Sequence, residues 1–114
     1  MLEVKRLPAR FYSLPSGREP VRDWLKSLDA DDKKTIGEDI RTVELGWPIG
    51  MPTCRPLGDG LWEVRSNLTD KRISRVFFCI AQGMVLLHAF IKKTQKTPQP
   101  DLDIARRRQN EVEQ

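Results

Sequence analysis

At 114 residues, with a formal net charge of +4 and a pI near 9.3, the chain is long enough for a single domain over residues 1–114 and too short for two cores. A hydrophobic share of 39% beside 32% charged residues is the balance of a folded soluble protein and excludes a disordered one. No apolar run reaches the roughly 20 residues of a membrane helix, and MLEVKRLPAR lacks the apolar core of a signal peptide, so a cytoplasmic protein with no membrane contact is expected.

Residues Arg10 to Leu14 alternate and carry Phe11 and Tyr12, which suits a first strand, and Pro15-Ser16-Gly17 turns the chain. Val21, Trp24, Leu25 and Leu28 then recur at helical spacing, with Pro20 suited to a first turn, and predict a helix over Glu19 to Leu28. Asp29 is an N-cap for a second helix, with Asp31 and Asp32 where the dipole favours acids. Its stripe is Ile36, Ile40 and Val43, and Leu45, Gly46 and Pro48 end it. Both stripes are regular and small, which suits packing rather than a cofactor. From Gly46 to Gly60 four glycines and three prolines predict an ordered loop with Trp47, Ile49, Met51 and Leu57 packed.

Three alternating runs follow: Leu61 to Leu68, Arg72 to Ile80, and Met84 to Lys92. Short turns between them predict an antiparallel meander. Period-two alternation puts Trp62 and Val64 on one face and Leu61, Glu63, Arg65 and Asn67 on the other, and in the second run Arg75 shares its face with Ile73, Phe77 and Cys79. Pro98 and Pro100 form a stop. Asp101 opens a short C-terminal helix in which Leu102 and Ala105 dock and Arg106 to Arg108 lie in solvent.

The chemistry these residues can support is narrow. Cys54 and Cys79 form no CxxC pair, which excludes cysteine-cluster zinc, and Cys79 reads as a core thiol. His88 has no second histidine to share a metal with, and Ser-His-Asp triads would depend on it alone. There is no GxxxxGK[ST] or GxGxxG loop, so no nucleotide cofactor, and no cofactor of any kind, is expected.

Charge is the remaining signal. From Arg65 to Lys96 seven cations (Arg65, Lys71, Arg72, Arg75, Lys92, Lys93 and Lys96) face the single acid Asp70, a net of +6 in a chain of +4, so the rest of the chain sums to −2. Arg65 and Arg75 fall on neighbouring strands, and Lys92, Lys93 and Lys96 leave the last one. Such a cluster binds phosphates, and it can stabilise a phosphoryl group under attack more than the ground state. The residues fit a solvated strand end and hairpin rim equally well.

A resemblance favours the first reading. Gly60-Leu61-Trp62-Glu63-Val64-Arg65, then Arg75-Val76-Phe77-Phe78, then the string from Leu86 to Pro98 with its L-H-x-F-x-K-K-T-x-K-x-P element, and finally Ile104-Ala105-Arg106-Arg107-Arg108, resemble the phage-derived HigB-like branch of the RelE toxin superfamily. The similarity in element order covers essentially the whole chain. It implies a RelE-like α+β fold: an antiparallel sheet of the N-terminal strand and the meander, two N-terminal helices on one face, a basic groove on the other, and a short C-terminal helix.

The resemblance also implies a toxin of a type II toxin-antitoxin system: a ribosome-dependent mRNA endonuclease, working without metal through attack of the RNA 2′-hydroxyl on the adjacent phosphate. Its partners would be mRNA on the ribosome and a helix-turn-helix antitoxin, the latter in a hetero-oligomer. Arg65, Arg75 and the pair Lys92-Lys93 match basic positions of the pattern, with Arg75 the first choice for phosphate stabilisation. Lys71, Arg72 and Lys96 join Lys92 as RNA-holding candidates. Relatives with a tyrosine or histidine base near the C-terminus differ from this chain, which has neither from Thr97 to Gln114. Glu63, or one lysine whose pKa its cationic neighbours lower, is the candidate base, and Lys93 stands with Arg75, Arg65 and Glu63 among the catalytic candidates. The alternative is a non-catalytic RNA- or ribosome-binding module of phage origin.

Overall fold

A computed structural model describes residues 4–93 and 96–113; Thr94 and Gln95 of the lysine-rich element lie outside the described residues. The elements are β1 (Ala9–Phe11), α1 (Pro20–Ser27), α2 (Ala30–Gly46), β2 (Cys54–Gly58), β3 (Leu61–Asn67), β4 (Ile73–Ile80), β5 (Met84–Lys92) and α3 (Gln99–Glu113). The five strands form one sheet in the order β1-β5-β4-β3-β2.

The meander forms as its alternation requires. Arg65 stands opposite Arg75 and Glu63 opposite Phe77 between β3 and β4, and β4 pairs with β5 through a bulge beside Phe77 and Phe78. The sheet is nonetheless mixed, because β1 runs parallel to β5. The chain between them, two helices followed by β2, β3 and β4, gives more than the dozen or so residues that a parallel connection needs. Met84 donates its N–H to the Pro8 carbonyl at 2.8 Å. A Cβ on Gly83, whose φ is +116°, would sit 2.6 Å from that same oxygen, so the β4–β5 turn requires glycine.

The expected loop contains a strand. Cys54 to Gly58 pair antiparallel with β3 as an edge, with Cys54 opposite Val64, Arg55 opposite Glu63 and Pro56 opposite Trp62. An edge tolerates Pro56 because one side of the strand needs no ladder donor. The signal that would have revealed it is Asp59-Gly60, a hairpin dipeptide whose two residues both have positive φ, 51° and 81°. Of the four apolar side chains expected to pack from this segment, Trp47 meets Trp62 edge-on at 4.9 Å, and Ile49 and Leu57 join the cores. Met51 is instead exposed.

Each face of the sheet has its own core. Val21, Ile36, Ile40 and Val43 of α1 and α2 bury against Cys54, Val64, Val76, Phe78 and Leu86. On the other face Ala105, flanked by Leu102 and Val112, covers Leu61, Phe77, Cys79, Val85 and Leu87. The second helix begins as expected, with Asp29 accepting the Asp32 N–H at 3.0 Å.

The C-terminal helix is longer than its sequence signals suggested, because Pro100 falls in its first turn, where no N–H is needed. Two of its three consecutive arginines are also not in solvent. Arg106 donates to the carbonyls of Gly58 and Leu57 at 2.7 and 3.0 Å. Arg108 donates to the Leu87 carbonyl at 2.8 Å and lies over the Tyr12 ring. Only Arg107 is exposed. Carbonyls near sheet ends and bulges are what long guanidinium side chains reach, and hydrophilicity alone does not reveal it.

Candidate nucleic-acid interface

The second face of the sheet is covered unevenly. Asp101, in the first turn of α3, lies 2.7 Å from Nε2 of His88, whose ring sits beside Phe77 and Phe90. His88 is thus a structural histidine with a carboxylate partner. Beyond this contact, toward the β3–β4 turn, a groove of about 320 Å³ is lined by Arg65, Asn67, Leu68, Lys71, Arg72, Ile73 and Lys93. Four of the seven are cations and none is an acid.

Local geometry explains how these cations meet. Alternation sends Arg65 and Asn67 of β3 and Ile73 of β4 to one face. The connecting turn closes with Arg72 N–H to Thr69 O at 3.2 Å and Leu68 N–H to Arg72 O at 2.9 Å. Its central residues, Asp70 and Lys71, are both left-handed, with φ of 58° and 60°, the geometry of a tight hairpin turn in which Asn-Gly is favoured. Lys71 is therefore presented at the rim at a conformational cost. Arg72 is held from behind by Asp32 of α2, whose carboxylate accepts both terminal nitrogens at 2.7 and 3.0 Å. That bidentate pair holds the Asp32 carboxyl below its ordinary 3.8 and raises the arginine's pKa further.

A second cluster backs the groove. Glu63 and Arg75 are both fully buried. Glu63 forms ion pairs with two arginines, one carboxylate oxygen lying 2.9 Å from Arg55 Nε and the other 3.5 Å from Arg75 Nε. Burial pulls the Arg75 pKa down, Glu63 pushes it up, and the neighbouring Arg65 and Arg55 charges pull it down again. The Cys54 thiol beneath is pushed up to about 11, by burial first and by the Glu63 charge second. Both cysteines are free and buried.

The eight residues expected at the site thus fall into three groups. Arg65, Lys93, Lys71 and Arg72 come together in the groove, with Arg72 also spanning to α2. Arg75 and Glu63 lie behind it with no exposed surface, so a phosphate in the groove meets Arg65 before it meets Arg75, and Glu63 is enclosed between two arginines. Lys92, opposite Ile73, and Lys96 are exposed and are not among the lining residues. Arg55 was not anticipated, because its strand was not.

Among the described residues no group of three His, Cys, Asp or Glu side chains is placed to hold a metal ion, and no helix is long and apolar enough to cross a membrane. No curated protein matches the chain at a significant level. The model of one family, phage derived protein Gp49-like (DUF891), matches residues 23–110, from within α1 to near the end of α3 and including the groove and the cluster behind it. The chain therefore belongs to the phage-derived Gp49-like family.

Proposed function

We propose that the protein is the toxin of a type II toxin-antitoxin pair, an mRNA endonuclease acting on the ribosome. The observation that carries this reading is the acid-free groove in which Arg65, Lys71, Arg72 and Lys93 converge at the uncovered end of the sheet, in a member of a phage-derived family associated with RelE-like toxins. Arg65 and Lys93 hold the scissile phosphate and offset the charge that develops on it as the neighbouring 2′-hydroxyl attacks. Arg75 raises the local potential from behind, and Lys92 and Lys96 meet the RNA backbone outside the groove. A helix-turn-helix antitoxin inhibits by covering the groove or its rim.

The residues lining the groove include no carboxylate, histidine or tyrosine, and Glu63 is withdrawn behind two arginines. Orientation of the attacking hydroxyl accordingly falls to the ribosome's own RNA, which is why activity depends on it. The same observation favours a second reading, a module that grips RNA or ribosome and cuts nothing.

Induced expression in cells tests the proposal. The wild type arrests growth and leaves cleaved messages, whereas Arg65→Gln combined with Lys93→Gln does neither while accumulating as folded protein. Growth arrest with every message intact would support the binding module, and arrest by the double variant would overturn the role of the groove.

A further inference from the structure

We propose that Arg55 is an additional phosphate contact, and that Glu63 serves as the positioning residue that aims it. The inference rests on the RNA reading of the groove and extends it from β3 onto the edge strand β2.

Three observations converge. First, the register of β2 on β3 places Arg55 opposite Glu63, on the same face as Arg65 and Arg75. Arg55 and Arg65 are then diagonal neighbours, roughly 7–8 Å apart by ordinary sheet geometry, within reach of neighbouring phosphates on one strand. Second, Arg55 is held by its Nε, itself buried, at 2.9 Å from Glu63, while 35% of its side chain stays exposed. This ion pair keeps the Arg55 side chain beside Glu63 and leaves four N–H donors on its two terminal nitrogens, the fork that suits a phosphate.

Third, Arg65 stands directly across from Arg75 and lines the acid-free groove, so a polyanionic strand that enters the groove past Arg65 runs toward the edge strand carrying Arg55.

The test is the salt dependence of binding to a labelled single-stranded oligoribonucleotide, followed by fluorescence anisotropy for the whole chain. For single strands each phosphate contact contributes roughly 0.7 to the slope of log K against log salt. Arg55→Gln is expected to flatten the slope by about that amount with its thermal transition retained. Arg55→Lys restores the slope, and Arg107→Gln, on the exposed face of α3, leaves it at the wild-type value. A wild-type slope in Arg55→Gln overturns the inference while the RNA reading stands, and a flat response in the wild type overturns both. A second measurement needs no variant: a guanidinium-specific dicarbonyl modifies Arg55 more slowly when the oligoribonucleotide is bound, and equal rates with and without RNA contradict the contact.

Discussion

Glu63 separates two roles that its position on the sheet leaves open. A carboxylate beside arginines on a basic face suits a general base, but its enclosure between Arg55 and Arg75 makes it a counter-ion. Removing one partner of a buried pair strands the other's charge, which costs roughly 3–5 kcal/mol. Glu63→Gln is expected to lose about that much stability in urea unfolding, because the buried Arg75 then loses the Glu63 carboxylate that faces it. A variant as stable as the wild type would show that the cluster is already balanced by other contacts. Asp32 makes a distinct prediction through pH. Its folded carboxyl lies below 3.8 because of Arg72, so the pair contributes stability above that value and loses it as the pH falls through the range beneath. Asp32→Asn is therefore less stable than the wild type at neutral pH, and the difference shrinks below pH 3.8. A difference that persists unchanged into acid would contradict the pair's role in fastening the β3–β4 turn to α2.

At the scale of elements, what the sequence made legible follows from which local rule each segment obeys. Helical spacing in Val21, Trp24 and Leu25 and in Ile36, Ile40 and Val43 marks α1 and α2, and two-residue alternation marks β3, β4 and β5 almost to the residue. β2 is hidden because Pro56 and the surrounding glycines imitate a loop. The parallel pairing of β1 is hidden because alternation carries no information about direction. Pro100 imitates a stop where it actually starts a helix. The β3–β4 and β4–β5 turns are opposite cases for design. Lys71 occupies a left-handed conformation that glycine adopts without strain, so Lys71→Gly is expected to gain about 1 kcal/mol and at the same time to weaken RNA binding. Gly83→Ala, by contrast, forces a Cβ onto the Pro8 carbonyl and is expected to lose roughly 1–3 kcal/mol. Paired unfolding and binding measurements check both, and a Lys71→Gly protein that binds RNA as the wild type does would remove Lys71 from the interface.

Across the whole molecule, charge counting pointed to the end of the sheet where the groove lies, but not to which side chains line it. The window from Arg65 to Lys96 holds the groove, yet which of its cations faces solvent depends on what covers them. Arg75 is buried beneath the face it belongs to, Arg72 is shared with a helix forty residues earlier in the chain, and Arg55 enters from a strand outside the window. Those facts are tertiary and leave no pattern in the local sequence. The proposed action of the groove on an RNA phosphate is tested directly by purified ribosomes programmed with a defined mRNA. Saturating wild-type protein is predicted to cut the message within the ribosomal A site, and the Arg65→Gln, Lys93→Gln protein, melting at the same temperature, is predicted to leave it whole. Intact message with the wild type, or equal cutting by both proteins, would contradict the claim.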